Sequence, residues 1–328
     1  MIWLTWRQFR TQATVVYAAL AVLVLVLAAT APGLADLQDA AGTDFLNRLT
    51  PTDQSVYYAG LAVVVFVPAV VGMFWGAPLI TRELEAGTHR LAWNQTVTRN
   101  RWLAVKLGLT GLATTAAAAL AGLAVTWWCG PIDRAVNGDG SSDVAAYLPR
   151  LHPLIFDGRG IAPAGHAAFA FILGVTIGVL VRRTLPAMAI TLAVFIAVQI
   201  AMPLWVRPHL ATPAHVTVPI TATTRLSLGN NDSLSVNIGK PGAWLISEQT
   251  LNASGRPAAL PASVTDCVNS RTSPDICIGK LADLHYQQLA TYQPAHNFWP
   301  LQWAEAALFL GLSLALTGFC VWRIRRLS

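Results

Sequence analysis

Six long apolar runs, separated by polar segments, dominate this chain. They extend roughly over Ala13–Ala31, Val56–Ile80, Leu107–Trp128, Ala164–Val181, Leu185–Val206 and Leu301–Trp322. Each run reaches or nearly reaches the ~20 apolar residues that a helix needs to cross ~30 Å of hydrocarbon. Because backbone polar groups in lipid must be satisfied within their own segment, we expect these runs to be helices. The pattern predicts an all-α polytopic membrane protein with six transmembrane helices.

A long polar segment, residues 207–300, separates the fifth run from the sixth and has the composition of a small subdomain. Within it, Val216–Thr221 and Leu234–Ile238 predict short strands, and Ile278–Thr291 predicts an amphipathic helix. We therefore expect a small extracellular α+β insertion within one membrane domain that covers residues 1–328.

Two of the four cysteines, Cys267 and Cys277, lie in this insertion. An oxidising exterior would favour a disulfide between them. Spacing alone leaves two free thiols as an alternative.

The first apolar run has two interpretations. Arg7 and Arg10 precede it and Ala29-Thr30-Ala31 ends it, as in a signal peptide with a cleavage site. The run is longer than the usual 7–15 residues of a signal core, which favours a retained helix.

The charged residues predict the orientation of the spans. With the N-terminus inside, the short cytoplasmic segments receive twelve basic residues and only two acidic ones, Glu83 and Glu85, whereas the outer segments are slightly acidic. This distribution follows the positive-inside rule and predicts that both termini are cytoplasmic. The net charge of +6 thus reports topology and contact with the lipid bilayer, and we expect no nucleic-acid partner.

The sequence offers no nucleotide or metal motif. A Gly-x-x-x-x-Gly-Lys-Ser/Thr phosphate loop does not occur in it. His209 and His215 are six residues apart, a spacing that matches no metal site we recognise. We therefore expect no metal and no cofactor in this chain.

The cytoplasmic loop between the second and third runs is the most distinctive polar segment. Its carboxylates, Glu83 and Glu85, follow the end of a predicted helix, where the partial negative charge disfavours them. Gly87 is suited to end that helix, and Thr88 is suited to cap a short new one that carries Leu91. Such a helix could dock a soluble partner, or the loop could be an ion-pair network that only closes the bundle.

The residues of this loop carry a family resemblance. The pattern Glu83-x-Glu85-x-Gly87-Thr88, followed by Arg99-x-Arg101 and Lys106, resembles the first cytoplasmic loop of type-two ATP-binding-cassette (ABC) transporter permeases. The N-terminal Trp-Arg-Gln-Phe-Arg stretch and residues 292–305 resemble the corresponding segments of actinobacterial members.

The resemblance implies a half-transporter, in which two membrane subunits work with two separate ATPase subunits. The partner ATPase would bind ATP and Mg²⁺, and the loop helix would fit a groove in it. On this sequence the coupling role would fall on Glu83, Glu85, Gly87, Thr88, Arg90 and Leu91.

Glu305 is the only carboxylate inside an apolar run. An ionisable group there costs about 2.5–3.5 kcal/mol on insertion scales and usually faces a cavity or a partner. With Gln302 one turn earlier, Glu305 could line a substrate pathway, or it could have a structural role or reach interfacial water.

Together these features predict the permease subunit of an ABC exporter in a bacterial plasma membrane, working as a homodimer. The alternative is a membrane sensor or immunity protein whose extracellular subdomain binds a ligand without transport. A membrane-embedded enzyme would need several ionisable residues at one depth, and apart from Glu305 the runs supply almost none. We therefore expect that the chain itself is not an enzyme.

Overall fold

The computed structural model describes residues 2–87, 99–137, 148–221, 226–228, 234–236, 238–262, 264 and 281–326. Among these residues, six helices are long and apolar enough to cross a membrane. They cover Ala13–Arg48, Pro51–Glu83, Arg101–Trp128, Ala162–Val181, Thr184–His209 and Ala295–Arg325. Each contains one of the six apolar runs, so the predicted six-span helical architecture is confirmed, and we refer to these helices as the first to sixth spans.

Among the described residues, nine α-helices and several shorter turns form the spans and the segments between them. The α-helices are α1 (Ile2–Ala41), α2 (Pro51–Val71), α3 (Ala77–Glu85), α4 (Arg99–Trp128), α5 (Gly130–Asn137), α6 (Pro153–Phe156), α7 (Ala162–Val181), α8 (Thr184–Ala201) and α9 (Phe298–Arg325). Two π-helical segments interrupt the spans, Gly72–Gly76 between α2 and α3 and Met202–Val206 after α8. Short 3-10 turns cover Gly42–Arg48, Arg207–His209 and Ala295–Asn297.

Local sequence explains where the second span begins. The Thr50 hydroxyl accepts a hydrogen bond from the backbone N–H of Asp53 at 3.2 Å, and the Asp53 carboxylate accepts one from the backbone N–H of Thr50 at 3.0 Å. This reciprocal arrangement is a capping box, and Pro51 occupies the first helical position, where its missing N–H costs nothing.

The fourth span is the centre of the bundle. Most of α7 is buried against the second, third, fifth and sixth spans, whereas the first span is largely exposed on its sides. A Cβ built on Gly72 would lie 2.6 Å from the carbonyl oxygen of Ala170, and one on Gly174 would collide with the carbonyl oxygen of Gly72. Gly76 and Gly178 make similarly close approaches to backbone atoms. These glycines form two Gly-x-x-x-Gly spacings, Gly72 with Gly76 and Gly174 with Gly178, which bring the second and fourth spans together within one chain.

A second compact unit, Ala211–Asn297, follows the fifth span in the sequence. Its strands are β1 (Ala214–Pro219), β2 (Leu226–Leu228), β3 (Leu234–Val236), β4 (Trp244–Leu251) and β5 (Gln287–Gln293). The antiparallel order β1-β5-β4 forms one sheet, and β2 pairs with β3 in a separate ribbon. The two strands expected from the sequence, β1 and β3, are confirmed within one or two residues at their ends.

The helix expected over residues 278–291 is wrong in its second half. Residues from Gln287 onward form β5, which pairs with strands on both of its sides and buries the alternating residues Gln288, Ala290 and Tyr292. The amphipathic helical pattern expected over residues 278–291 was a weaker determinant than two-sided strand pairing, which depends on residues distant in sequence.

Candidate functional site

At the start of the predicted coupling loop, the end of α3 is joined to the third span by an ion pair. Glu83 forms an ion pair with Lys106 of the third span, and Lys106 lies 4.8 Å from the centre of the Trp102 ring. Lys106 is buried at 5% exposure, so this pair joins the second and third spans at the loop's two ends.

Glu85, two residues later, contacts the fifth span. Its Oε2 accepts hydrogen bonds from the Thr184 hydroxyl at 2.6 Å and from the Thr184 backbone N–H at 3.2 Å. These hydrogen bonds lower the pKa of the exposed Glu85 carboxyl. A carboxylate at this position also complements the partial positive charge at the start of α8.

Gly87 follows the helix end with a φ of +69°, the left-handed conformation that glycine adopts without steric cost. The helix α3 thus ends at Glu85, before Gly87, as the sequence predicted. Thr88, Arg90 and Leu91 lie outside the described residues, so their predicted part in a docking helix stays a prediction. The same holds for Cys267 and Cys277 and the disulfide predicted between them.

At the opposite ends of the fourth, fifth and sixth spans, charged side chains form a buried cluster. Arg207 and Glu305 are both 0% exposed. Arg207 donates from Nε to Glu305 Oε2 at 2.8 Å and from Nη2 to Glu305 Oε1 at 2.9 Å, a two-point pairing. Arg207 Nη2 also pairs with Asp157, and its guanidinium lies 4.2 Å from the centre of the Phe156 ring.

His166 completes this Arg207 cluster, which we define as Asp157, His166, Arg207 and Glu305. His166 Nε2 lies 2.9 Å from Glu305 Oε1, and its Nδ1 lies 3.5 Å from the Gln199 amide nitrogen. Desolvation raises the pKa of the Asp157 carboxyl, while the neighbouring Arg207 opposes that shift. Two carboxylates therefore share one permanent cation, with Glu305 fully buried and Asp157 largely so.

Gln302 has a different role from Glu305 although it lies one turn away. Its Oε1 accepts hydrogen bonds from the backbone N–H groups of Ile161 at 2.9 Å and Ala162 at 2.7 Å, and its Nε2 donates to the Phe156 carbonyl at 3.2 Å. Gln302 therefore satisfies N–H groups at the start of the fourth span that have no intrahelical partner.

A second buried arginine lies on the segment that carries Asp157. Arg159 is 1% exposed and donates to Asp133 of α5 at 3.2 Å. Nearby, the Gly160 N–H donates to the Thr126 hydroxyl at 2.6 Å. The segment 148–161 is thus bound to the third span as well as to the fifth and sixth, and we call it the strap.

The sequence of the helical unit matches a known family. The family model described as "ABC-2 membrane transporter related" matches residues 13–207, which is more than half of the chain. The chain belongs to that family. No curated protein and no solved structure matches it.

Membership in the ABC-2 family and the six apolar helices make the chain a multi-pass membrane permease, the non-catalytic subunit of a transporter. The family also implies association with an ABC ATPase. The family resemblance inferred from the sequence is thereby confirmed at this level.

The Arg207 cluster of this ABC-2 family member also bears on metal binding. Ligand atoms of Asp157, His166 and Glu305 lie within 4.8 Å of one another, a spacing that could hold a cation. The Arg207 guanidinium already pairs with both carboxylates. A metal ion would have to displace Arg207, so this arrangement does not fit a resident metal.

Sequence reasoning found Glu305 but missed its partners. Arg207 was counted as an outer-loop charge because the fifth run ends at Val206, and His166 is a single polar residue within the fourth run. Within the runs this cluster adds only His166 to Glu305, because Arg207 and Asp157 lie outside them. Family membership makes the chain a non-catalytic subunit. Comparing the membrane depth of the ionisable residues would have grouped these three, because Arg207, His166 and Glu305 each lie within about one turn of a run's end.

Proposed function

We propose that this chain is the permease subunit of an ABC exporter, that two copies form the substrate pathway, and that separate ATPase subunits bind ATP and Mg²⁺ and drive it. Family membership supports the permease and the ATPase partner. Export, the homodimer and the place of contact with the ATPase go beyond the family and form the proposal.

The observation that carries the proposal is the anchoring of the last turns of α3, which form the start of the predicted cytoplasmic coupling loop, residues 81–101. Glu83 ties its start to the third span through Lys106, and Glu85 ties it to the fifth span through Thr184. A force applied to this loop would therefore reach three spans at once. That is what a coupling loop requires, whereas a loop that only closes the bundle needs no contact with the fifth span.

The remaining coupling residues in the proposal are Thr88, Arg90 and Leu91, which would present the docking surface after the turn at Gly87. We place this loop and both termini in the cytoplasm of a bacterium, because the basic residues concentrate on that side of the plasma membrane. The unit Ala211–Asn297 would then lie outside, where a Cys267–Cys277 disulfide could form. Likeness to actinobacterial members is part of the same proposal.

Gln302 and Glu305 remain our candidates for pathway residues. Both are 0% exposed and engaged by neighbours in this structure. They could meet a substrate only in a second conformation in which those contacts have opened.

The proposal is tested by purifying the tagged chain from its native membrane and asking whether an ABC ATPase co-purifies. Glu83→Lys and Gly87→Pro should keep membrane insertion but uncouple ATP hydrolysis from transport. Matched controls are Asp36→Lys, which reverses an exposed carboxylate in α1, and Gly255→Pro, at another glycine with positive φ. Unchanged coupling in both loop variants would overturn the assignment of the loop.

The alternative, a sensor or immunity protein that moves nothing, makes a different prediction in the same experiment. It requires no ATPase, so the chain should purify alone and bind a ligand through residues 211–297. Transport assays in inverted vesicles, with and without ATP, would then show no accumulation of any substrate class.

A further inference from the structure

The fifth span is held by polar contacts at both of its ends. At the start of α8, Thr184 donates two hydrogen bonds to Glu85. At the other end, Arg207 pairs with Glu305 and Asp157. Helical backbone is continuous from Thr184 through the π-helical segment to Arg207, so the two anchors are separated by roughly 35 Å.

The contacts at the two ends of the fifth span involve different elements. Glu85 is the last residue of α3, immediately before the loop that we propose contacts the ATPase. Asp157 lies on the strap and Glu305 on the sixth span. A displacement of the fifth span along its axis would therefore change the contacts of Arg207 with two other elements.

The Arg207 cluster is suited to two discrete arrangements. Packed interiors and ion pairs change by switching between alternatives, because intermediate separations lose the contacts without gaining hydration. Arg207 Nη1 and Gln199 Oε1 are buried and have no hydrogen-bond partner among the described residues. Such unsatisfied groups raise the free energy of the closed arrangement and favour one that admits water.

We propose that Arg207 is a positioning residue that latches the strap and the sixth span together, and that the fifth span is the link through which the Glu85 end opens this latch. The inference rests on the proposed function, since it needs a force at the loop. Opening would separate Arg207 from Asp157 and Glu305 and give water and substrate access to the buried Gln302 and Glu305.

The test uses a cysteine reporter beside the cluster in the intact complex. Ala162 is 0% exposed, and its N–H donates to Gln302, so A162C should report access to this region. The complex with its ATPase, in lipid nanodiscs that leave both membrane faces accessible, is treated with a charged maleimide with and without ATP. Labelling at position 162 is quantified by mass spectrometry of its peptide, which separates it from the native cysteines.

In the A162C protein, ATP should accelerate labelling about tenfold or more, because labelling of a buried thiol tracks the population of the open state. Arg207→Met should give fast labelling with and without ATP. Glu85→Gln should abolish the ATP response while the ATPase still co-purifies, and the control Asp36→Asn should leave the response intact.

Arg207→Lys is the control for loss of folding, because it keeps the positive charge of Arg207 but replaces its two-point donor by a single ammonium. It should give labelling between that of the parent and Arg207→Met. Parent-like slow labelling in both Arg207 variants would overturn the latch, and a full ATP response in Glu85→Gln would overturn the link. If no ATPase co-purifies, the proposed function fails, but the arms without nucleotide still decide whether Arg207 closes this region.

Discussion

Removing the charge of Arg207 should destabilise the folded protein strongly. Arg207→Met keeps a long, flexible side chain but leaves Glu305, which is 0% exposed, and the partly buried Asp157 without their cation. Breaking a buried ion pair by removing one partner costs about 3–5 kcal/mol, because the remaining charge stays desolvated. We expect a loss of that size in the free energy of unfolding.

A matched triple variant separates lost pairing from lost packing. Asp157→Asn, Arg207→Met and Glu305→Leu together remove all three charges, and uncharged replacements of similar volume are often neutral. The triple variant should therefore recover most of the stability lost in the single variant. Partial recovery is expected even if Met fits the Phe156 contact less well than the guanidinium does.

The measurement is reversible unfolding in mixed micelles, followed by circular dichroism at increasing mole fraction of sodium dodecyl sulfate. Exposed ion pairs contribute only about 0–1 kcal/mol. A loss within that range for Arg207→Met would refute the reasoning, since it would mean that the carboxylates are hydrated or already protonated.

Three further variants test the packing and the anchors described above. Gly178→Ala should destabilise the protein in the same unfolding assay, because its Cβ would collide with the second span, whereas Gly311→Ala, which has open space, should not. Gln302→Leu should cost about 1–3 kcal/mol by leaving buried N–H groups unpaired. Glu85→Gln should lower the protection of the Thr184 amide against hydrogen exchange at neutral pH; in the parent, this protection, measured relative to the intrinsic exchange rate at each pH, should be lost only as the pH falls through the lowered pKa of Glu85.

The spans could be predicted because bilayer thickness and backbone desolvation act on every residue of a run. The glycine spacings at Gly72 and Gly174 were visible in the sequence, but which helices they join was not, since either could have met a second chain. The structure joins them within one chain through close backbone approaches.

Among the buried charged residues, the candidate site was predictable only where a charge stood inside an apolar run. Glu305 met that condition, and Gly87 was identifiable from its position after a predicted helix end. Arg207 and Asp157 lie outside the runs, and Arg207 pairs with Glu305 and Asp157, which are 98 and 50 positions away, a pairing that no local pattern encodes. The β5 strand was missed for the same reason, because its partners are remote in sequence.

The close approach of the second and fourth spans also limits how this chain can change over evolution. A larger residue at Gly174 would meet the backbone oxygen of Gly72, an atom that every amino acid carries. No second substitution on the facing helix can remove that obstacle, unlike a clash between two side chains, which a smaller neighbour relieves. We therefore expect homologues to hold glycine, or shift the whole helix pair, at these positions while the lipid-facing residues around them vary freely.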